Sequence, residues 1–349
     1  MIQEFIVGKY RGLTDLHLDE LRKVNVFVGS NNSGKTSILE AIILSGLFED
    51  VDLLVDALIS RYHGFLTEYF ESLFTVDFEP VICLKSKMSG DDKMLHTHLT
   101  YNKSQKIGKD DMASMSNVFE LIFNYKYDGV STSEIQDQFL IRFEEEDNNY
   151  KVEMRKSKDN ILDIKIPCKF VSFSRFDSSL RLVNDVDKIL NQNMRQELLD
   201  VLKIFDETIE NFEIIGKERT IKIFKKDQKT PLTLHDYGNG MYKAFFIATS
   251  ALLAKDGILL VDEIEAGIHS KALVNFIQKL LTVCIENNVQ VFLTTHSLEA
   301  IDIILDDCRE QLDDTAIYHI KNKECRTMAR RYSGEKLINL RNEIGFDVR

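Results

Sequence analysis

Apolar and polar residues alternate along the chain with periods that change from one stretch to the next. Residues 2–28 are typical of strands over 4–10, 13–18 and 24–28, and apolar residues alternate along the second of these. Residues 37–74 carry apolar side chains at helical spacing. Residues 75–170 return to short alternating runs between polar tracts, which is typical of an antiparallel β-meander. Helical spacing over 177–211 then predicts one or two further helices.

Beyond a hairpin predicted over 212–234, helices and strands alternate through the remaining sequence. Such alternation predicts a parallel sheet that is covered by helices on both faces. We therefore expect an α/β fold with a mainly parallel sheet flanked by helices, an antiparallel β lobe and a helical insertion. The expected elements are helix 240–254, strand 257–262, helix 270–287, strand 289–295, helix 297–307, strands 315–320 and 325–330, and helix 333–343.

A glycine-rich loop joins an apolar run over 24–28 to a helix-spaced run that begins at residue 37. The loop has the pattern G-x-x-x-x-G-K-[ST], and a strand, this loop and a helix form the context of a phosphate-binding loop. Its main-chain N–H groups and the positive helix end would surround the phosphates. Lys35 would reach the β- and γ-phosphates, and Thr36 would ligate Mg²⁺. The predicted nucleotide-binding residues are Gly29, Ser30, Asn31, Asn32, Ser33, Gly34, Lys35, Thr36 and Ser37.

Two later apolar runs end in polar residues that carry chemistry. One ends in Asp262 and Glu263, and the other leads to His296. Because ligands lie at the carboxyl ends of strands in α/β sheets, Asp262 should arrive beside Thr36 and hold Mg²⁺ through water. Glu263 would polarise the attacking water, and His296 would hydrogen-bond that water or the γ-phosphate. The alternative is that each is an ordinary polar residue at a strand end.

Two glycines flank Asn239 just before a predicted helix. Gly238, Asn239 and Gly240 would make a second anion site at a helix N-terminus. A second anion site is redundant within one pocket, so it would close over the γ-phosphate held by a neighbouring subunit. The alternative is a flexible turn with a helix N-cap.

The amino-acid composition limits the classes of protein to which the chain could belong. The 349 residues, 44% hydrophobic and 29% charged, are those of a soluble globular chain. A formal net charge of −12 lowers the expectation of nucleic-acid binding without excluding a local basic patch. The five cysteines are scattered outside any CxxC pair, which favours reduced thiols in the cytoplasm. No apolar run is long enough for a membrane span, and the N-terminal sequence has no signal-peptide pattern.

The motifs and their order resemble those of ABC-type ATPases of the SMC/RecF/OLD group, and the opening segments are especially similar to OLD-type ATPases. The resemblance implies a P-loop NTPase of ABC/SMC-head type with ATP and Mg²⁺ as ligands. Tyr237 stands where the signature motif usually has Ser. The corresponding segments are Gly29–Thr36 (Walker A), Gly238–Gly240 (a degenerate signature), Leu259–Glu263 (Walker B with its catalytic glutamate), Glu265–His269 (D-loop) and Thr295–Ser297 (switch histidine).

The same resemblance implies a head formed by 1–50 plus 212–349, with 51–211 inserted as a partner or oligomer surface. The stretch 297–349 is too short for the TOPRIM domain of OLD nucleases, so we expect a stand-alone ATPase. It would form an ATP-sandwiched homodimer or higher oligomer and control a separately encoded effector, such as a nuclease or TOPRIM protein in antiphage defence. The alternatives are a RecF- or SMC-like, ATP-gated DNA-binding protein and, more remotely, the cytosolic subunit of a transporter.

Three smaller assignments stay open at this stage. Tyr10 and Arg11 would lie either near the adenine or phosphates or on the surface of an edge strand. The Q-loop glutamine has only weak candidates, Gln136 and Gln138. Arg175 would either reach phosphate or belong to the surface.

Overall fold

The computed structural model describes residues 1–45, 53–54, 81–90, 94–107, 115–127, 137–146, 149–156, 166–172, 179–323 and 326–344. Most of the helical stretch predicted over 37–74 lies outside these ranges, as do Gln136 and Arg175. The strands in chain order are β1 (Ile2–Tyr10), β2 (Leu13–Leu18), β3 (Val24–Val28), β4 (Val81–Met88), β5 (Met94–Ile107), β6 (Met115–Tyr127), β7 (Asp137–Glu146), β8 (Asn149–Lys156), β9 (Cys168–Val171), β10 (Ile209–Ile215), β11 (Thr220–Lys225), β12 (Leu232–Thr233), β13 (Ile258–Val261), β14 (Gln290–Thr295), β15 (Thr315–Lys323) and β16 (Arg326–Ser333).

The helices lie close to their predicted positions. A 3-10 turn over Leu234–Tyr237 precedes the central helix, and the helix predicted over 297–307 is a short α-helix that continues as a π-helical turn over Ile303–Asp307. The α-helices are α1 (Lys35–Leu44), α2 (Ser179–Asn191), α3 (Arg195–Phe205), α4 (Asn239–Leu253), α5 (Ser270–Glu286), α6 (Leu298–Asp302) and α7 (Gly334–Ile344). Within the described residues, no helix is both long and apolar enough to cross a lipid bilayer.

The strand that precedes the glycine-rich loop lies inside a six-stranded sheet with the order β16-β15-β3-β14-β13-β9. All its neighbouring pairs are parallel except β15 with β16. Every residue of β3, β13 and β14 is buried, because helices or a second layer cover both faces of the sheet.

The second large sheet corrects the expectation of a mainly parallel fold. Its seven strands, in the order β2-β1-β4-β5-β6-β7-β8, are antiparallel throughout. Inward residues such as Leu84 are buried, whereas Lys85 next to it is exposed, as expected for a sheet with one face toward solvent. The fold therefore combines a mixed sheet with a larger antiparallel one.

Both sheets cross the predicted boundaries of the insertion. Strands β4 to β8 extend the sheet that β1 and β2 begin, and β9 pairs in parallel with β13 in the other sheet. The division into 1–50 plus 212–349 and 51–211 stays a prediction. The described strands show that hydrogen bonding is continuous across it.

Two hydrophobic cores meet at the six-stranded sheet. Alternate residues of β3 enter different cores: Val24, Val26 and Val28 belong to the core that contains α2 to α5, and Phe27 belongs to the core under the seven-stranded sheet. Phe27 stacks there on Phe292 of β14, with ring centroids 6.2 Å apart. The two-residue period of a strand thus joins the two halves of the molecule.

A buried glutamine connects the two sheets. Gln290, at the start of β14, accepts a hydrogen bond from the N–H of Ile2 at 2.7 Å and donates to the carbonyls of Ile2 at 2.8 Å and Arg22 at 2.9 Å. Its exposed fraction is 0%. The side chain therefore satisfies backbone groups of β1 and of the segment before β3 at once.

Candidate functional site

The glycine-rich loop runs from the end of β3 into α1, and its glycines have conformations that other residues rarely adopt. Gly29 has φ +150° and Gly34, the N-cap of α1, has φ +98°. A Cβ atom at Gly29 would lie 2.5 Å from the carbonyl oxygen of Ile320, and one at Gly34 would lie 2.5 Å from Cδ2 of Leu13. The backbone fold of this loop thus depends on glycine at both positions.

The lysine at the start of α1 folds back over the loop. Its Nζ donates to the carbonyl oxygens of Gly29 at 2.8 Å and Ser30 at 2.9 Å. Burial lowers the pKa of Lys35, and the carboxylates of Asp262, Glu263 and Glu265 partly offset that effect. An ammonium group has three donors, so Lys35 can serve the loop and also an anion held within it.

Asp262 follows β13 and meets the start of α1. The hydroxyl of Thr36 lies 3.0 Å from both carboxylate oxygens of Asp262, and the hydroxyl of Thr294 donates to one of them at 2.6 Å. Oxygen ligands of this kind, completed by phosphate oxygens and water, suit Mg²⁺. Within the described residues, no group of three or more His, Cys, Asp or Glu side chains has the geometry to hold a metal ion.

The next residue, Glu263, has a left-handed backbone with φ +51°. Its N–H donates to the hydroxyl of Thr294 at 2.8 Å, and its side chain is 42% exposed. Its carboxylate is therefore accessible to water beside Asp262, the arrangement expected for a general base.

His296 contacts a second acid as well. Its Nδ1 lies 3.1 Å from Oε1 of Glu265 and 4.0 Å from Oε1 of Glu263. The main-chain N–H of His296 also donates to Oε1 of Glu265, at 3.0 Å. The other carboxylate oxygen of Glu265 is buried and has no hydrogen-bond partner among the residues that the structure describes. The imidazole thus lies between the two carboxylates.

A buried lysine on α4 completes the cluster. The Nζ atom of Lys243 donates to the main-chain carbonyl of Glu263, and the residue is 1% exposed. Burial lowers the pKa of Lys243 to about 8, although the carboxylates of Glu265, Glu263 and Asp262 act to raise it.

Sequence reasoning gave no role to Lys243 or Thr294, and it placed Glu265 only within the segment that resembles a D-loop, without a contact to His296. The signal for Lys243 was available, because it is the one charged residue in the apolar run 241–254.

The predicted second anion site lies at the start of α4. Gly238 is the N-cap with φ +88°, and a Cβ atom at Gly240 would lie 2.4 Å from the carbonyl oxygen of Gly267. The segment 238–240 therefore packs against the loop that carries Glu265. Among the residues that the structure describes, no hydrogen bond or ion pair joins 238–240 to the loop 29–37.

The open assignments near the N-terminus can now be placed. Tyr10 is 1% exposed, and its hydroxyl lies 3.4 Å from the buried carboxylate of Glu40 on α1, so the surface interpretation is wrong for it. The Nε atom of Arg11 lies 3.2 Å from the same carboxylate. Gln138 donates to Asn124 on the exposed face of the seven-stranded sheet.

Comparison with known families identifies the class. A family model described as "AAA ATPase domain" matches residues 1–180, and one described as "AAA domain, putative AbiEii toxin, Type IV TA system" matches residues 114–302. Each covers more than half of the chain, and the chain belongs to this group of AAA ATPase domains.

Individual relatives are more distant. An ATP/GTP phosphatase of Helicobacter pylori is 23% identical, with 97% of both chains covered. An uncharacterized protein of Methanocaldococcus jannaschii is 37% identical over 113 residues, which are 32% of this chain and 98% of that protein.

Solved structures with similar folds include two SMC heads. One, bound to the C-terminal winged-helix domain of ScpA, is 13% identical with a TM-score of 0.49 and covers 97% of this chain and 99% of its own. The SMC head domain from Thermotoga maritima is 12% identical with a TM-score of 0.42, covering 95% of this chain and 98% of its own.

Proposed function

We propose that this chain binds ATP with Mg²⁺ and hydrolyses it to ADP and phosphate. The observation that carries the proposal is the contact between Thr36 and Asp262. A hydroxyl at the start of the P-loop helix and a carboxylate at a strand end, 226 positions apart, lie 3.0 Å from each other. Membership of the AAA ATPase domains and similarity to a protein named ATP/GTP phosphatase support the same activity.

In this proposal, each group of site residues has a separate role in binding or hydrolysis. Main-chain N–H groups of the loop 29–37 and the ammonium of Lys35 would hold the β- and γ-phosphates. Thr36 and Asp262 would hold Mg²⁺, which neutralises phosphate charge when it is bound. The water oxygen bonds to the γ-phosphorus, the bond from that phosphorus to the β–γ bridging oxygen breaks, and the water proton passes to Glu263. His296 would orient the water or the γ-phosphate.

Two substitutions test this division. Lys35→Ala should abolish both nucleotide binding and turnover. Glu263→Gln should leave ATP affinity unchanged but lower kcat by at least about 100-fold, because the general base is lost. Binding by calorimetry and phosphate release by a coupled assay separate the two effects. Glu286→Gln, on the exposed end of α5, is the matched control. Full turnover in Glu263→Gln would contradict the assignment.

We further propose that ATP is sandwiched between two copies of the chain. The segment Gly238–Gly240 has a helix N-terminus and no described bond to its own P-loop, which supports a role on a neighbouring copy. Size-exclusion chromatography of Glu263→Gln with and without ATP tests this. We expect an ATP-dependent shift to a dimer or larger assembly, and a monomer under both conditions would count against the sandwich.

In this proposal, the ATPase cycle controls a separately encoded effector, a nuclease or TOPRIM protein in antiphage defence. The OLD-like motifs support this, and the family description that mentions a toxin system is compatible with it. The test is co-expression with the product of the neighbouring gene. A stable complex whose nuclease activity responds to Glu263→Gln supports the proposal, and an effector indifferent to this chain contradicts it.

A specific surface favours the alternative of ATP-gated nucleic-acid binding. Lys85, His96 and Lys126 are cross-strand neighbours on β4, β5 and β6. Burial lowers the pKa of His98, two residues along β5, and His96, Lys126 and Lys85 lower it further. The strand register places the two lysines on either side of His96. This cationic row could contact phosphates in an otherwise acidic chain.

The paired substitution Lys85→Glu and Lys126→Glu tests this alternative. It should weaken ATP-dependent DNA binding and flatten its salt dependence, while ATP turnover stays as in the wild type. Fluorescence anisotropy with labelled duplex at several salt concentrations measures both quantities. If wild-type protein with ATP shows no binding at low salt, nucleic acid is not the partner of this surface.

A further inference from the structure

The backbone of Glu263 is held from both sides in a conformation that non-glycine residues seldom adopt. Its N–H donates to Thr294, and its carbonyl accepts from Lys243. A left-handed residue persists where its surroundings determine it. These two hydrogen bonds are such determinants, and they fix the direction in which the carboxylate leaves the main chain.

Burying the charged side chain of Lys243 at this position costs free energy. It is 1% exposed in a helix whose neighbouring residues are apolar, and buried charges are costly unless they are paired. The opposite charges near it are the carboxylates of Asp262, Glu263 and Glu265, the last of which has a buried oxygen without a partner. Its one direct hydrogen bond in the described structure goes to the main chain of Glu263.

The helix that carries Lys243 is also locked to the neighbouring loop. Gly240 approaches Gly267 so closely that a Cβ atom would lie 2.4 Å from the carbonyl oxygen of Gly267. A shift of the first turn of α4 would therefore move either Lys243 or the loop that carries Glu265.

We propose that Lys243 is a positioning residue for hydrolysis, which holds Glu263 in its productive left-handed conformation and links the α4 N-terminus to the base of the same chain. The proposal rests on the function proposed above for Glu263. Lys243 touches neither water nor phosphate in this role, and acts only through Glu263. If a second copy contacts segment 238–240, a shift of α4 would move Lys243 and thereby change the position of Glu263.

The test compares Lys243→Met with two other variants. Lys243→Met keeps an unbranched side chain that is one atom shorter, and it removes the charge and the donor. We expect an unchanged ATP affinity and a kcat lowered by about 100-fold, the effect of misplacing a reacting group by about 1 Å. Lys243→Arg, which keeps the charge and a donor, should recover much of the loss. Lys169→Met is the control, because Lys169, on β9 next to β13, is a lysine with a 16% exposed side chain that pairs with Asp185.

Each outcome has a definite meaning. Wild-type kcat in folded Lys243→Met overturns the proposal, as does a fall in kcat no larger than that of Lys169→Met at equal loss of melting temperature. If Lys243→Met does not fold, Lys243→Gln replaces it, with reduced kcat at unchanged affinity expected and wild-type kcat overturning the proposal. If Glu263→Gln keeps full turnover, the proposed function fails instead, which separates the two.

Discussion

At the scale of single residues, the hydroxyl of Thr294 connects the two acids of the site. It donates to Asp262 at 2.6 Å and accepts from the N–H of Glu263 at 2.8 Å. Thr36 approaches Asp262 from the P-loop helix. One buried threonine therefore orients the proposed metal ligand and the proposed base together, which makes it a precise target for substitution.

Thr294→Val keeps the shape of the side chain and removes this hydroxyl. It leaves a buried carboxylate and a backbone N–H each short of a partner, which should cost about 1–3 kcal/mol of unfolding free energy and lower turnover. Urea unfolding and steady-state ATPase assays measure the two effects. Thr295→Val is the adjacent control, because Thr295 is equally buried and its hydroxyl accepts only from the N–H of Ser297 in the described structure. Equal turnover in the two variants would contradict the role of Thr294.

The sequence allowed the P-loop residues and the strand-end acids to be predicted, because their chemistry follows from local order: strand, loop and helix, or strand and acid. The contacts of Thr294, Glu265 and Lys243 could not be predicted from the sequence, for a physical reason. Their roles depend on contacts between distant segments, such as Lys243 on α4 with the carbonyl of Glu263. A main-chain carbonyl as a partner leaves no trace in the residue types. The catalytic assignments themselves await the experiments above.

At the scale of elements, periodicity located most helices and strands, and β5 shows why the individual strands of the stretch 75–170 are hard to delimit from the sequence. Its inward positions are Leu95, Thr97 and Leu99, and Thr97 is buried because its hydroxyl donates to the carbonyl of Ser45 at 2.7 Å. A hydroxyl at an inward position interrupts the apolar alternation that marks a strand. The antiparallel β lobe was predicted, but its union with β1 and β2 in one sheet was not, because β4, which pairs with β1, lies far along the sequence.

The contact between α4 and the loop after β13 gives a prediction at this scale. Gly240→Ala would bring a Cβ atom within 2.4 Å of the backbone oxygen of Gly267, so helix and loop must separate. We expect a loss of about 1–3 kcal/mol of unfolding free energy and a lower kcat, since Lys243 moves with the helix. Gly12→Ala is the control, because a Cβ atom there meets nothing within 4 Å. Calorimetry and ATPase assays should show wild-type behaviour for the control, and the same behaviour in Gly240→Ala would refute the packing argument.

At the scale of the whole molecule, the two sheets are joined by their shared core and by the hydrogen bonds of Gln290. The side chain is fully buried and satisfies three backbone groups, two on Ile2 and one on Arg22. These groups belong to the N-terminal part of the chain and Gln290 to the C-terminal part. Their hydrogen bonds therefore hold the two ends of the folded chain together.

Gln290→Leu tests how much these hydrogen bonds stabilise the fold. The change keeps the volume of the side chain but leaves buried N–H and C=O groups without partners, and it should cost at least about 2 kcal/mol of unfolding free energy. Denaturant unfolding followed by circular dichroism measures the loss. Gln192→Leu, at an exposed position just after α2, should change stability by less than about 0.5 kcal/mol. Equal midpoints for the two variants would show that Gln290 is not needed.

The position of β3 has a consequence for how the protein is made. Its two neighbours in the sheet, β14 and β15, are synthesised only after residue 289. During translation, the apolar strand β3 therefore has no native hydrogen-bonding partner until most of the polypeptide has left the ribosome. While it is unpaired, its exposed apolar side chains and free main-chain hydrogen-bonding groups favour aggregation. Production in the cell should thus depend on chaperones, and no early translation intermediate can consume nucleotide before the closing strands arrive.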